Sequence, residues 1–335
     1  MGEPPATAYN LHFNPARQLV FPPPAHGFLP TGLNDSGDTI GNLIHPTRFE
    51  GASWTASGLY LPPHHFRNSE LPEAEMAHPF AALSSSGLVV GTRGRSAKRL
   101  AAWASHLANF GEKYWPDNLS FAQDVNTQGD TVGKMLLNAN PVLVSRAFLI
   151  QPDRPPRYFD APEGGLTDAI SINDRGSVLF NVTALSTRVA VQRAWLWRGE
   201  EFIPLQVPSR CASNAVALNA SDQVVGFIET EFGRRRPVLW TEGRPIDLNT
   251  KDAQDFRPTC LSGDGIVGGS ALNIRAERSA CIWSAEYGLQ FLQDLQPRST
   301  AEPLHNVVTI NSAHQILACR IDGQQSIGFR LDPQD

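Results

Sequence analysis

Side chains able to move a proton or hold a metal near neutral pH are sparse, with nine histidines and four cysteines in 335 residues. Imidazole changes charge close to neutrality and so serves as a general base. His26, His78 and His305 each stand just before an apolar, strand-like run, and Arg257 stands in the same kind of place. A guanidinium there would stabilise developing negative charge. Asp168, Asn214 and Asn306 hold comparable positions, while His64, Tyr114 and Trp115 lie in long polar segments between runs. Three imidazoles suit zinc or iron, but no local ligand spacing accompanies them, so neither a metal nor a cofactor is expected. Cys211, Cys260, Cys281 and Cys319 form no CxxC and read as small hydrophobes rather than a disulfide framework. No nucleophile elbow, Walker loop or dinucleotide fingerprint occurs, and the turn at Asn34 lacks calcium-loop spacing.

What must position these residues is an internal repeat. One phrase, a hydrophobic residue, Asn, small polar residues with Gly, then an apolar run closing on a small residue, recurs through the chain. Leu33-Asn34-Asp35-Ser36-Gly37-Asp38-Thr39-Ile40-Gly41 and Ile172-Asn173-Asp174-Arg175-Gly176 are clear copies. The anchors Asn34, Ser84, Asn126, Asn173, Asn219, Ser262 and Asn311 are about 42 to 50 residues apart, the size of a propeller blade. Each phrase predicts a hairpin, with Asn or Asp and Gly accepting the positive φ of a tight turn. A strand with an aromatic residue follows, as in Arg193-Ala194-Trp195-Leu196-Trp197, and then a short turn and a fourth strand, as in Phe202-Ile203-Pro204-Leu205. Four strands repeated at seven anchors predict an all-β fold: one seven-bladed β-propeller spanning residues 1–335. The last unit ends after its third strand, so the N-terminal segment, Tyr9 to Phe21, is expected to complete the last blade and remove both open edges. Trp54, Trp103, Trp197, Trp240 and Trp283 are expected between blades.

On Ile172-Asn173-Asp174-Arg175-Gly176 and Arg193-Ala194-Trp195-Leu196-Trp197, the chain resembles the HAF-repeat family, whose units combine an Ile-Asn-Asp-x-Gly turn with an Arg-Ala-Phe-Leu-Trp strand. The likeness extends over nearly the whole chain, although the family's histidine is missing before these alanines. It implies a propeller and no settled activity.

In such a fold one face carries the tight turns and the other the longer second-to-third-strand loops and the crossovers. Function on rigid scaffolds collects on loops. Six residues before the anchors stand His78, Ser120, Thr167, Ser213, Phe256 and His305, and one place further on Asp168, Asn214, Arg257 and Asn306. His26, His78 and His305 are thereby expected in one sector of the channel mouth.

The formal net charge of −5 argues against a nucleic-acid partner. The Arg234-Arg235-Arg236 run reads as solvated charge. No apolar stretch is long enough for a membrane span, and the N-terminus has no apolar leader. The expectation is a cytoplasmic monomer, or a secreted one if a leader has been removed. The favoured function is binding of a small molecule or peptide in a polar, histidine-rich pocket at the channel mouth. The alternatives are an enzyme at the same site (lyase, hydrolase or cyclase) with a histidine base and Arg257, and a protein-interaction scaffold using Phe66, Tyr114 and Trp115.

Overall fold

The computed structural model describes residues 11–21, 23, 25–45, 49–58, 60–61, 80–95, 99–104, 119–139, 142–162, 164–184, 191–248, 250, 253–299, 301–323 and 325–334. They form antiparallel sheets with one 3-10 turn, Leu292–Asp294, and no α-helix among the described residues. In the blade anchored on Asn219, the strands Ala212–Leu218, Val224–Glu229, Arg235–Thr241 and Arg244–Asp247 lie side by side in chain order. The first strand of each sheet contacts the first strand of the next, and Asn306–Ile310 comes back against Gly27–Leu33, which closes the ring. No described helix is long and apolar enough to cross a membrane.

The expectation of a seven-bladed propeller is corrected: six complete, four-stranded blades stand among the described residues. The sheet anchored on Ser84 shows three strands among the described residues, Phe80–Leu83, Val89–Arg95 and Arg99–Ala104, and does not make a seventh such blade. The sequence itself departs from the repeat there. Behind Trp54, Phe148, Trp197, Trp240 and Trp283 a residue at positive φ follows within five residues, at Gly58, Asp153, Gly199, Gly243 and Gly288, whereas Ala104-Ser105-His106-Leu107-Ala108 after Trp103 offers no Gly, Asn or Asp.

Ring closure does come from the N-terminal segment. Arg17–Gln18 pairs with Gln325–Leu331, placing Arg17 opposite Arg330 and Gln18 opposite Phe329. Phe13 bridges to Pro333, and its N–H donates to the Leu295 carbonyl at 2.9 Å. Its ring is fully buried against Leu292, Ile282 and Phe329. The aromatic strand positions behave as expected where described: Trp54, Trp197, Trp240 and Trp283 are all buried. The side chain of Trp103 lies outside the described residues.

Every inner strand carries a β-bulge three residues before its anchor, with register shifts at Pro30/Gly32, Ala169/Ser171, Ala215/Ala217 and Val307/Thr309 among others. A bulge bends its strand and pushes backbone toward the neighbour. That explains the small residue ending the repeat phrase. A Cβ on Gly133 would lie 2.0 Å from the Phe121 carbonyl oxygen, and one on Gly226 would lie 2.2 Å from that of Asn214.

The anchor asparagines do more than tolerate a turn. Positive φ falls on the residue three after the anchor, Gly176 at 76°, Asp222 at 61° and His314 at 57°. The asparagine side chain holds the turn and reaches the next blade. Asn219 Oδ1 accepts from the N–H groups of Ser221 and Gln223 at 3.0 and 2.9 Å, and its Nδ2 donates to the Ser262 carbonyl at 3.0 Å. Asn126 and Asn173 donate in the same way to the carbonyls of Asn173 and Asn219, and Asn311 donates to that of Asn34.

Replacing Asn219 with Ala strands buried donors and an acceptor and should cost about 1–3 kcal/mol in denaturant unfolding. Phe13→Ala should cost about 3–5 kcal/mol through lost packing and a residual cavity. Deleting residues 1–21 should lower the melting temperature further, and an unchanged melting curve would contradict the closure.

Candidate functional site

On the loop face, inner-strand residues alternate between two environments. The position six before the anchor faces the preceding blade. Thr167 Oγ1 accepts from the Ala147 N–H at 2.8 Å and donates to the Phe159 carbonyl at 2.8 Å. Ser213 Oγ accepts from the Ala194 N–H at 2.9 Å. Small hydroxyls therefore pin one blade's outer strands to the next blade's start. His305 shares this position and is half-buried. Its Nδ1 accepts the Ile321 N–H at 3.0 Å. His26 is exposed just ahead of its strand, with its N–H on the Ile44 carbonyl at 2.7 Å. His78, His64, Tyr114 and Trp115 lie outside the described residues, as does Phe66. Among the described residues no group of three metal-ligating side chains comes together.

The next position along holds the other sequence candidates. Asp168 takes an ion pair from Lys134 of the preceding blade at 2.7 Å. Lys134 occupies the strand position where Asn42 and Asn181 bracket the neighbouring backbone: Asn181 Nδ2 donates to the Ala215 carbonyl at 3.0 Å, and its Oδ1 accepts the Ala215 N–H at 2.9 Å. Asn214 Nδ2 donates to Gln192 Oε1 at 2.7 Å. Asn306 Oδ1 is buried with no partner among the described residues. These three candidates, with Arg257, sit on different blades, and the structure spreads them around the ring rather than into one pocket.

Arg257 lines a defined concavity. A cleft of about 810 Å³, open to solvent, runs between the Asn219 and Ser262 blades, walled by Arg234, Arg235 and Arg236 on one side and Gln254, Asp255 and Arg257 on the other. Phe227, Leu248 and Phe256 supply its apolar floor. Arg236 pairs with Asp247 at 3.0 Å and Arg235 with Glu229 at 2.8 Å. Asp255 accepts from Arg257 at 2.7 Å and also pairs with Arg278. Burial pushes the Asp255 carboxyl up, but the hydrogen bonds from Arg257 and Arg278 outweigh it and hold the group below the usual carboxylate range. Asp255 is thus a permanent anion that orients two guanidinium groups. The Arg234 side chain makes no ion pair among the described residues.

Sequence reasoning passed over Arg234 to Arg236 as solvated charge. The available signal was their place: they open the third strand of the Asn219 blade on the loop face, beside the crossover that leads to Arg257.

Other perturbed groups lie away from the cleft. Burial raises the Asp124 carboxyl, whose oxygens nevertheless accept from Ser171 Oγ at 2.6 Å and the N–H groups of Ile172 and Val125. Burial likewise pushes Cys260 up to about 12, so it is no nucleophile at neutral pH.

No family model matches the chain, and no curated protein matches it. The resemblance to the HAF-repeat family neither gains nor loses from that. Solved structures do match. The β-propeller domain of the Trilobed protease from Pyrococcus furiosus aligns with a TM-score of 0.57 and 8% identity over 93% of this chain and 98% of that one. An oligogalacturonate lyase in complex with manganese aligns at 0.58 and 10% identity, over 97% of both chains. A puromycin hydrolase aligns at 0.57 and 11% identity over 91% of this chain, which spans 53% of that enzyme. At such identities the likeness shows the β-propeller fold alone.

On the turn face, His314 Nε2 contacts Asp264 Oδ2 at 2.7 Å across two blades. The hydrogen bond from His314 takes Asp264 down to about 2, and the same contact raises His314 above its ordinary 6.5. The depressed carboxyl contributes stability above its unfolded pKa and loses it as pH falls toward 2. The raised imidazole contributes fully below 6.5 and loses its share as pH climbs through the folded value. The stability difference between the protein and a His314→Asn variant should therefore be greatest between about pH 4 and 6.5 and shrink on both sides. Melting curves across pH check this, and a difference that ignores pH would contradict the pairing.

Proposed function

We propose that the protein binds an anionic small molecule or peptide on its loop face, in the cleft between the Asn219 and Ser262 blades. The observation that carries this reading is the lining: four arginines against two aspartates, on a chain whose formal net charge is −5. Local positive potential on an acidic protein attracts a negatively charged ligand, and the low-dielectric walls focus it. Planar guanidinium groups match carboxylate and phosphate oxygens two at a time. Apolar floor with a few convergent polar groups is the general make-up of a ligand site.

An enzyme at this face is the second reading, and the propeller enzymes among the solved structures of like fold favour it only loosely. Proton transfer needs a titrating group, and the titratable carboxylates lining the cleft, Asp247 and Asp255, are both committed to arginines. Binding is therefore the stronger reading of this cleft.

Citrate, a compact polyanion, is the direct probe. Calorimetric titration should give saturable binding that weakens with salt and falls about tenfold or more in Arg257→Gln. Arg257 is largely exposed and its ion pair is of the surface kind, so the melting temperature should hardly move. Equal citrate binding by both proteins, or none by either, would overturn the reading.

A further inference from the structure

Two side chains next to the cleft are not accounted for by folding. Phe232 is 88% exposed and Ile274 is 95% exposed. Both stand at the tips of second-to-third-strand hairpins, one on each of the two blades that wall the cleft. The tips are built tightly. Thr230 N–H donates to the Arg234 carbonyl at 3.0 Å and Gly233 N–H to the Thr230 carbonyl at 2.9 Å, with Gly233 at a φ of 74°. In the neighbouring hairpin Asn273 N–H donates to the Glu277 carbonyl and Ala276 N–H to the Asn273 carbonyl, both at 2.9 Å. Asn273 Oδ1 further accepts from the N–H groups of Arg275 and Glu277 at 2.8 and 3.0 Å. These turns need small or polar residues at their apices, and nothing in their hydrogen bonding calls for a phenyl ring or a branched alkyl group. Single exposed hydrophobics are ordinary on a protein surface, so these two count only through their place, one on each hairpin of the two blades that wall an arginine-lined cleft.

Each apolar tip is also flanked by an arginine, Arg234 beside the Phe232 turn and Arg275 directly after Ile274. Arg278, at the foot of the second hairpin, reaches Asp255 in the cleft wall and so ties the hairpin to the cleft.

We infer that the cleft and its two hairpin tips dock an acidic peptide segment of a partner protein, with bulky apolar side chains that cover Phe232 and Ile274 while its carboxylates meet the arginines between them. This rests on the anion-binding reading of the cleft and adds the class of ligand. A compact anion would satisfy the guanidinium groups but leave both apolar tips in water. A peptide has the length to cover both and presents alternating acidic and apolar side chains from one backbone.

The test compares a Glu-rich synthetic peptide containing two phenylalanines with an equally charged peptide bearing alanines in their place, by fluorescence anisotropy. The phenylalanine peptide should bind about tenfold tighter, and that advantage should vanish in a Phe232→Ser, Ile274→Ser double variant whose citrate binding and melting temperature are unchanged. If both peptides bind the unaltered protein equally, or the double variant keeps the preference, peptide docking is overturned while the anion cleft stands. If neither peptide nor citrate binds, both readings fall. If phosphatidylserine vesicles, rather than the peptides, bind in a manner that depends on Phe232 and Ile274, the surface is a lipid contact and the inference is wrong.

Discussion

The buried amide of four anchor asparagines, Asn126, Asn173, Asn219 and Asn311, holds two things at once. Its Oδ1 accepts the N–H groups of its own turn, and its Nδ2 reaches the carbonyl of the next anchor, as from Asn126 to Asn173, from Asn173 to Asn219 and from Asn219 to Ser262. Sheets in a propeller touch mainly through side chains, so their spacing is only as definite as such directional contacts make it. A satisfied buried amide is directional and costly to break. Nearer the opposite face Asn42, Asn181 and Lys134 perform the corresponding clamp, and at the turn face Arg330 donates to the Gly37 carbonyl at 3.1 Å to join the last blade to the first. The cleft between the Asn219 and Ser262 blades inherits its width from this stitching.

Much of that architecture was legible. Anchors at blade-sized intervals, an aromatic third strand and an unfinished last unit are all local patterns, and the structure places Asn219, Trp240 and Phe13 accordingly. The departure from seven blades at Ser84 was not foreseen, because the phrase there, a weaker copy without the asparagine, still reads as a hairpin, and only the lack of a turn residue soon after Trp103 signals the difference. The asparagines were read as turn formers through φ, yet Gly176, Asp222 and His314 take the positive φ while the amides bond sideways. Side-chain bonds between segments about 45 residues apart leave no mark on a linear pattern.

The candidate site was less legible, for a reason of geometry. At the position of His305, Thr167 and Ser213 bond to the neighbouring blade while His305 bonds back to Ile321 of its own, and alternation alone cannot tell either setting from the channel. Arg257 was picked out for its place at a strand start and does line the cleft. Its partners Arg234 to Arg236 come from the third strand of the previous blade, a neighbour that only the folded ring supplies. Charge runs are usually solvated; this one is distinguished by the carboxylates and apolar floor facing it.

Native-state hydrogen exchange at the amides of Ser177 and Gln223 tests the stitching most directly. Both donate to an anchor Oδ1, at 3.0 and 2.9 Å. If the anchor network binds the blades into one cooperative unit, these amides exchange only through global unfolding, with the same free energy as the whole domain. Exchange through local opening, well below that free energy and insensitive to denaturant, would show that the blades move independently and contradict the account.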